Sequence, residues 1–145
     1  MANNLNKPII KSPKLYFYDT GLLCYLLNLT SQVALLKHNA YGGIFENWMI
    51  TEIKKNRAKT GVNGGMYYFR DSADNEVDLV LEKNNEVFVI EVKSTKKPDS
   101  KDLQGLKYWQ KYQPSNKSIL VHGGNRSDIL MDGTGIVPWV EIGNI

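Results

Sequence analysis

Three charged residues near the middle of the chain have types and a spacing that could do chemistry. Asp78, Glu91 and Lys93 form the pattern Asp-x12-Glu-x-Lys. Hard cations such as Mg²⁺ take oxygen ligands and are often held by only one or two carboxylates. On a strand, Lys93 projects from the same face as Glu91, two residues before it, and can reach the same place. The pattern therefore indicates a carboxylate site for a divalent cation, with a lysine beside it.

A β-hairpin is the element that must position these residues. Residues 76–81 and 87–93 read as strands, and the turn-favouring pair Asn84-Asn85 lies between them. With those asparagines as the turn, one predicted face is apolar and pairs Val77 with Val92, Leu79 with Ile90 and Leu81 with Phe88. The other face pairs Glu76 with Lys93, Asp78 with Glu91 and Val80 with Val89. A slip of one residue would scramble both faces, which supports this register.

The pairing of Asp78 with Glu91 is electrostatically unfavourable by itself. Directly opposed residues on adjacent strands have Cβ atoms about 5 Å apart, and two ionised carboxylates at that distance destabilise the pair. A bound Mg²⁺ would compensate for the repulsion. The alternative is a solvated hairpin face whose charges only keep the protein soluble. The flanking Val80 and Val89 argue for partial burial, where unpaired charge is costly.

A lysine-rich segment follows the carboxylates. Residues 93–117 contain seven lysines and two acids, a local charge of +5 against +3 for the whole chain. Such a segment suits a polyanion such as DNA lying beside the carboxylates. The candidate nucleic-acid-binding residues are Lys96, Lys97, Lys101, Lys107 and Lys111. A solvated helix face carrying lysines is the alternative interpretation.

Composition and missing motifs limit the other functions. A chain of 145 residues with 42% hydrophobic residues can build one ordinary core. No apolar run approaches the roughly 18 residues that span a bilayer, and the first residues lack the apolar core of a secretory signal, so we expect a cytoplasmic protein without a membrane partner. No P-loop motif is present, which excludes ATP binding by a P-loop of this chain. His38 and His122 are isolated, so a histidine-based site is not expected.

The N-terminal part of the chain contains one strong helix pattern. Residues up to about Pro8 are expected to be disordered, and residues 14–18 to form a short strand or an extended segment. The apolar run Leu22–Leu29, which contains the single cysteine Cys24, should be buried or packed on a partner. After a break at residues 39–43, a helix over 44–57 is predicted from an apolar stripe, with Glu46 in its first turn.

The C-terminal part predicts a strand–helix–strand unit around the hairpin. A strand over 66–70 precedes the hairpin, and a helix over about 101–112, capped by Asp99 or Ser100, follows it. Gln104 and Tyr108 would share one face of that helix. A strand over 118–122 then completes a βαβ crossover and a mixed sheet. A last strand over 135–140 contains Pro138 and is therefore expected at a sheet edge.

The order of these elements resembles the PD-(D/E)XK nuclease superfamily over about residues 43–122. The matching features are the helix with Glu46, the strand with Asp78, the strand with Glu91-Val92-Lys93, and the following helix and strand. Val77 stands where the superfamily name has a proline. The resemblance implies an α/β fold with a restriction-endonuclease-like core, a mixed central β-sheet flanked by helices.

Two further stretches are similar to one branch of that superfamily. Residues 14–23 (KLYFYDTGLL) and 43–47 (GIFEN) are similar to the C-terminal domain attached to many prokaryotic AAA-type ATPases. This similarity implies a nuclease-like domain over residues 43–145. Residues 1–42 would then be an N-terminal extension and helical segment that links it to an ATPase domain of the same longer protein.

The resemblance also implies roles for individual residues. Asp78 and Glu91 would be ligands of Mg²⁺ or Mn²⁺, with the backbone carbonyl of Val92 as a further ligand. Glu46 would reach the metal directly or through water, and Lys93 would orient the attacking water or stabilise the charged phosphorane. Gln104 and Tyr108 would be auxiliary residues on the helix that often completes such sites.

Two functions follow from the sequence. The first is a metal-dependent phosphodiesterase, a DNA nuclease-like domain of an AAA-type ATPase, with a homo-oligomer as one way of cutting two strands. The alternative is a catalytically silent DNA- or protein-binding module of that ATPase, since fold does not fix function.

Overall fold

A mixed sheet forms the centre of the molecule. The computed structural model describes residues 13–62, 64–114 and 116–145, so the predicted disorder up to Pro8 lies outside the described residues. Within that part six strands follow the order β1-β2-β3-β4-β6-β5. The strands are β1 (Met66–Arg70), β2 (Glu76–Lys83), β3 (Glu86–Lys93), β4 (Lys117–His122), β5 (Asp128–Ile129) and β6 (Gly135–Pro138). The helices are α1 (Thr20–Leu26), α2 (Gln32–Lys37), α3 (Tyr41–Thr60) and α4 (Gln104–Gln110), and a 3₁₀ helix spans Trp139–Asn144.

The hairpin of β2 and β3 has the predicted turn. Asn84 and Asn85 both have positive φ, 53° and 63°. Two successive positive φ angles are what a type I′ hairpin turn requires, and asparagine tolerates them. Leu79 pairs with Ile90, Val80 with Val89 and Leu81 with Phe88, which confirms the predicted register over this part of the hairpin.

The register of β2 changes at its N-terminal end. β1 pairs Tyr67 with Val80 but Phe69 with Val77, so Tyr68 alone lies opposite both Asp78 and Leu79. This irregularity gives β2 one extra residue and turns Val77 to the opposite face of the sheet from Val92. The predicted common face of Val77 and Val92 is therefore wrong.

The connection from β3 to β4 is the predicted crossover. β3 and β4 are parallel, α4 lies between them in sequence, and β1–β2 and β2–β3 are antiparallel. The expectation of an α/β fold with a mixed sheet flanked by helices is confirmed. The helix α4 is shorter than predicted and has no side-chain cap. The Asp99 carboxylate accepts the Lys101 N–H within a turn, so neither Asp99 nor Ser100 caps the helix.

The last strand is not at the sheet edge. β6 lies between β4 and the short strand β5, and Pro138 pairs with His122 of β4. The pairing of β5 reaches only Ile136, which leaves the other side of Pro138 without a neighbouring strand. A proline is tolerated there because no ladder partner requires its missing N–H.

Two apolar clusters fix the layers above and below the sheet. The stripe of α3 (Phe45, Met49, Ile50 and Ile53) packs on Leu79, Leu81, Ile90, Val92 and Val121. On the opposite face Leu103 and Leu106, from the α4 region, pack on Val77, Val80, Val89, Leu120 and Ile136. The helix α3 begins earlier than predicted, at Tyr41, and ends at Thr60, and the following Gly61 has a φ of 68° that suits a glycine C-cap. These two helices therefore bracket the strands that carry Asp78 and Glu91.

The helices α1 and α2 contribute no buried residue to the core. Leu22, Tyr25 and Leu26 are exposed, and Cys24 is only half-buried. Burial of the Leu22–Leu29 run within this chain is therefore wrong, whereas its packing on a partner stays a prediction. Among the described residues, no helix is both long and apolar enough to cross a membrane.

Candidate functional site

Asp78 lies at the point where the β2–β3 ladder stops. The ladder reaches Leu79 and Ile90, and the next N–H of β3 in line, that of Val92, donates to Asp78 Oδ2 at 2.9 Å. Asp78 is only 5% exposed. Burial, and then the nearby charge of Glu46, raise the pKa of its carboxyl. The backbone ladder between β2 and β3 thus ends at a buried carboxylate that is costly to ionise.

Glu91 and Lys93 form an ion pair beside the end of this ladder. Lys93 Nζ lies 2.5 Å from Glu91 Oε1, whereas Glu91 Oε2 is buried and has no hydrogen-bond partner among the described residues. Burial and the charge of Asp78 raise the pKa of Glu91 to about 7. Burial alone would lower the pKa of Lys93, but the hydrogen bond to Glu91 raises it. The predicted neighbourhood of Asp78, Glu91 and Lys93 is present as a charge-coupled group.

A second cluster gathers three carboxylates around the ammonium of Lys14. Its Nζ lies 2.8 Å from Glu46 Oε1, 2.6 Å from Glu76 Oε1 and 3.2 Å from Asp78 Oδ1. Burial alone would lower the pKa of Lys14, but the hydrogen bonds to Glu46 and Glu76 raise it above its usual range. Lys14 also lowers the pKa of Glu76 against the opposing effect of burial. The ammonium therefore neutralises charge in this cluster.

Asn47 of α3 brings the N-terminal segment to this cluster. The Asn47 side chain accepts the Phe17 N–H at 2.7 Å and donates to the Phe17 carbonyl at 3.0 Å, as a strand neighbour would. Residues two apart in an extended chain point the same way. Lys14 and Tyr16 both reach Glu46, and the Tyr16 hydroxyl donates to Glu46 Oε1 at 2.8 Å.

The predicted auxiliary residues Gln104 and Tyr108 both lie on α4. The Tyr108 hydroxyl donates to Asp71, which also accepts the Ala73 and Asn75 N–H groups at the β1–β2 connection. Gln104 is exposed on α4. The five predicted nucleic-acid-binding lysines are all exposed, in the loop after β3 and along the α4 region. Their roles stay predictions.

The fit to a divalent cation is best judged from the oxygens around Lys14. Within the described part of the chain, no three His, Cys, Asp or Glu side chains form a group ready to hold a metal. The donor chemistry nevertheless suits a hard cation, because oxygens of Glu46, Glu76 and Asp78 already converge on the Lys14 ammonium. The Lys14 ammonium occupies the position between these oxygens that a cation would take, so Mg²⁺ would have to displace it.

Two of these residues were not predicted as site residues. Lys14 stands 64 residues before Asp78, and only the tertiary fold brings the two together. Glu76 was assigned to the hairpin face opposite Lys93, but the altered register directs it to Lys14 and to the Tyr68 hydroxyl. For Lys14, the one local signal in the sequence was that Lys14 and Tyr16 stand two apart in an extended segment before a helix.

Comparisons with known proteins identify a domain family. The model of a family described as a domain of unknown function (DUF4143) matches residues 41–142, and a second (DUF8612) matches residues 1–33. Uncharacterised proteins of Mycobacterium tuberculosis and Mycobacterium bovis are each 32% identical over 95 residues. That match covers 66% of this chain and 21% of each relative, so the chain spans about a fifth of their length. Protein VC1899 from Vibrio cholerae is similar in structure, with a TM-score of 0.48 and 16% identity over 79% of this chain and 34% of that one.

Proposed function

This chain belongs to the DUF4143 family of domains, and we propose that it is a phosphodiesterase domain that cleaves DNA with Mg²⁺ or Mn²⁺. The observation that carries the proposal is the group of Asp78, Glu91 and Lys93 where the β2–β3 ladder ends. Two buried carboxylates with raised pKa, next to a lysine, are a costly arrangement for a purely structural hairpin. Such groups concentrate at functional sites.

The proposed ligands come from β2 and β3, where their ladder ends, and from α3. Asp78 and Glu91 would hold the cation with the Val92 carbonyl, and Glu46 would reach it directly or through water. When bound, the cation would polarise the scissile phosphate and lower the pKa of a bound water. Lys93 keeps its ammonium at the Glu91 carboxylate, where it can neutralise negative charge that grows on a phosphate.

The surroundings supply a surface for a polyanion. The lysines of the loop after β3 and of the α4 region (Lys96, Lys97, Lys101, Lys107 and Lys111) are exposed and follow directly on the strand that carries Lys93. Clustered lysines attract nucleic-acid phosphates in a salt-dependent manner. We expect DNA binding to weaken steeply as salt rises.

A plasmid assay tests the proposal. Supercoiled DNA incubated with the protein and Mn²⁺ or Mg²⁺ should be nicked, and Glu91→Gln and Lys93→Ala should abolish nicking. Glu86→Gln is the matched control, because Glu86 lies on the same strand and is exposed. Absence of nicking by the wild-type protein, or undiminished nicking by Glu91→Gln, would overturn the assignment of catalysis.

A catalytically silent binding module is the second candidate. The observation that favours it is Lys14, whose ammonium contacts the carboxylates of Glu46, Glu76 and Asp78 and offsets part of their charge. The exposed apolar side chains of α1 and α2, among them Leu22, Leu26 and Leu36, would then contact protein. Isothermal titration with Mn²⁺ separates the two functions, since a silent module shows no binding that depends on Asp78.

This chain matches only a small part of the length of its relatives, which supports a role within a larger protein. The match covers only 21% of the two mycobacterial relatives. We propose that the domain acts together with an AAA-type ATPase domain of the same longer protein, in the cytoplasm. Co-purification of this domain with a separately expressed ATPase portion tests the association, and no complex at micromolar concentration would count against it.

A further inference from the structure

The extended segment of residues 14–18, which we call the strap, places a positive charge on the carboxylate cluster. The Lys14 ammonium lies 2.8 Å from Glu46 Oε1 and 3.2 Å from Asp78 Oδ1. Both carboxylates are among the ligands proposed above for Mg²⁺ or Mn²⁺, so the inference drawn from the strap rests on the proposed function. With the strap in this position, two of the proposed ligands are engaged by an ammonium of the chain itself.

The ammonium and a divalent cation compete for these ligands. The second oxygen of Asp78 already accepts the Val92 N–H at 2.9 Å, so both oxygens of this carboxylate have a donor. Two cations that share the same carboxylates repel each other, and more strongly at a buried site than in water. Because such coupling is reciprocal, a bound Mn²⁺ must weaken the hold on Lys14 by the factor by which Lys14 weakens the binding of Mn²⁺.

Side chains, and not a strand ladder, hold the strap in place. None of the six strands of the sheet includes residues 14–18. The Phe17 backbone bonds to the side chain of Asn47, and the Tyr16 hydroxyl bonds to Glu46. Segments whose contacts are few and local open at much lower free energy than the core of a domain. The strap can therefore detach while the sheet stays intact.

The packing under the strap is incomplete. A groove of about 390 Å³ lies between the strap, the helix α3 and the strands β1 and β2, whereas protein interiors are normally close-packed. Leu15 and Tyr18 are 85% and 54% exposed. Tyr16 is the strap residue that packs against the core beneath α3. Detachment thus gives up little apolar burial, and its main cost is the loss of the Lys14 ion pairs.

We propose that the strap is an autoinhibitory device that keeps the carboxylate site closed to its cation. In the closed state, Lys14 is held by Glu46, Glu76 and Asp78. In the open state, the strap has moved away and the divalent cation takes the place of the ammonium. DNA is cleaved in the open state alone, so the movement of the strap sets the cation concentration that the enzyme requires.

Limited digestion with trypsin tests the strap without DNA. Trypsin must bind the lysine side chain in its own pocket, so it cuts after Lys14 only when the ammonium has left the carboxylates. Mn²⁺ should therefore speed the cut after Lys14 relative to digestion in EDTA. The cut after Lys111, an exposed lysine at the end of α4, should become no faster and serves as the internal control. Mass spectrometry of the fragments identifies each cut.

A substitution that removes the ammonium should lower the requirement for cation. In Lys14→Gln, the Mn²⁺ concentration for half-maximal nicking should fall by about fivefold or more, the lower end of the usual range for coupling between two ligands. Lys54→Gln is the matched control, because Lys54 lines the same groove but is exposed on α3. It removes the same charge and should keep the Mn²⁺ requirement within about twofold of wild type.

Tyr16→Phe tests the strap even if Lys14→Gln fails to fold. It keeps the ring against the core and keeps Lys14, and removes only the hydrogen bond to Glu46. The strap should then open more often. The cut after Lys14 in EDTA should become faster than in the wild-type protein, and the Mn²⁺ requirement should fall by a smaller factor than in Lys14→Gln.

Several results would overturn the strap. One is a cut after Lys14 that Mn²⁺ leaves unchanged or slows. Another is an unaltered Mn²⁺ requirement in Tyr16→Phe and in folded Lys14→Gln. Loss of nicking in folded Lys14→Gln would make Lys14 a working part of the site and not its inhibitor.

Failure of the strap and failure of the enzyme give different results. Nicking that requires Glu91, together with a cut after Lys14 that is insensitive to Mn²⁺, overturns the strap and leaves the phosphodiesterase intact. Release of Lys14 by Mn²⁺ without nicking by the wild-type protein or by Lys14→Gln supports the closure of a cation site by the strap and overturns catalysis.

Discussion

Lys14 holds its ammonium 2.6 Å from the carboxylate of Glu76, although 62 residues separate the two in the sequence. The same ammonium contacts Glu46 and Asp78, so one cation from the N-terminal segment serves acids from α3 and β2. A cluster of carboxylates without such a cation would be strongly repulsive. Lys14 is therefore the residue that determines whether this cluster is a closed ion network or a site open to a metal.

Replacing Lys14 should destabilise the protein and increase its response to metal. Lys14→Met leaves Glu46, Glu76 and Asp78 without their shared cation, and we expect the free energy of unfolding in EDTA to fall by about 2–3 kcal/mol. Mn²⁺ should then restore stability, because a divalent cation can replace the ammonium. Thermal unfolding with and without Mn²⁺ measures both effects.

The control for this substitution is another ion-paired lysine. Lys55→Met removes the partner of Glu52, a half-exposed pair on the surface of α3, and should lower stability much less than Lys14→Met does. A Lys14→Met protein whose melting temperature does not respond to Mn²⁺ would contradict the view that the ammonium and a metal compete.

The stability of the protein should depend on pH through Glu91. The ordinary pKa of a glutamate, 4.5, is raised in the folded protein to about 7. Between these values the unfolded chain has lost the proton that the native state still binds, so the free energy of unfolding falls as pH rises, by up to about 3 kcal/mol. Above pH 7 this contribution should level off. Urea denaturation between pH 4.5 and 8 measures the slope.

Glu91→Gln should flatten that pH dependence. A glutamine cannot ionise, so only the slope from the other raised carboxyl, Asp78, should remain. Glu86→Gln, on the same strand but exposed, should keep the full slope. An unchanged slope in Glu91→Gln would show that Glu91 is already ionised across this range.

Gly105 allows α4 to approach the site closely. A Cβ at this position would collide with the Glu76 carbonyl oxygen and lie 3.0 Å from Glu91 Oε2. Alanine normally favours a helix over glycine by about 1 kcal/mol, but overpacking against backbone costs about 1–3 kcal/mol. We therefore expect Gly105→Ala to lower the free energy of unfolding, as measured by urea denaturation.

For Gly43 on α3 we expect the opposite effect of an alanine on stability. A Cβ at Gly43 would meet nothing within 4 Å. Gly43→Ala should therefore stabilise the protein by about 0.5–1 kcal/mol through helix propensity alone. Stabilisation by both alanines would show that α4 can move away from Glu91 at little cost.

Tyr108 is expected to act on stability more than on cleavage. Its hydroxyl donates to Asp71, and this bond, more than the others that Asp71 accepts, lowers the pKa of the Asp71 carboxyl. Tyr108→Phe should lower the melting temperature and raise the pH at which acid unfolds the protein. Nicking at a temperature well below the transition should stay within about threefold of wild type. A large loss of nicking with unchanged stability would make Tyr108 an auxiliary residue of the site, as the sequence predicts.

Local sequence patterns predicted the turn and the register of the hairpin. The face of Val77 and the location of Lys14 depend on long-range contacts and were therefore not predicted. Asn84-Asn85 and the alternation from Leu79 to Leu81 specify a turn and register within one short segment, where both signals are local. The face of Val77 depends on the extra residue that β2 places opposite Tyr68 of β1, and strand pairing of this kind is not visible in the periodicity of one strand. The location of Lys14 depends on Asn47, whose pairing with the Phe17 backbone has no local sequence signature.

Asn47 should control access to the carboxylate cluster. It is 5% exposed, and its side chain holds the Phe17 backbone at both the N–H and the carbonyl. Asn47→Ala removes these bonds, so the segment that carries Lys14 and Tyr16 should detach from α3 while the core of the sheet stays folded. Limited trypsin digestion should then cut after Lys14 faster than in the wild-type protein, and Mn²⁺ should bind more tightly because the ammonium is no longer held at Glu46. Asn56→Ala, on the same helix but with a side chain that donates to the Gly143 carbonyl and not to the N-terminal segment, should change neither measurement. If cleavage after Lys14 is no faster in Asn47→Ala, the ion pairs of Lys14 hold the segment by themselves, and Asn47 does not control the site.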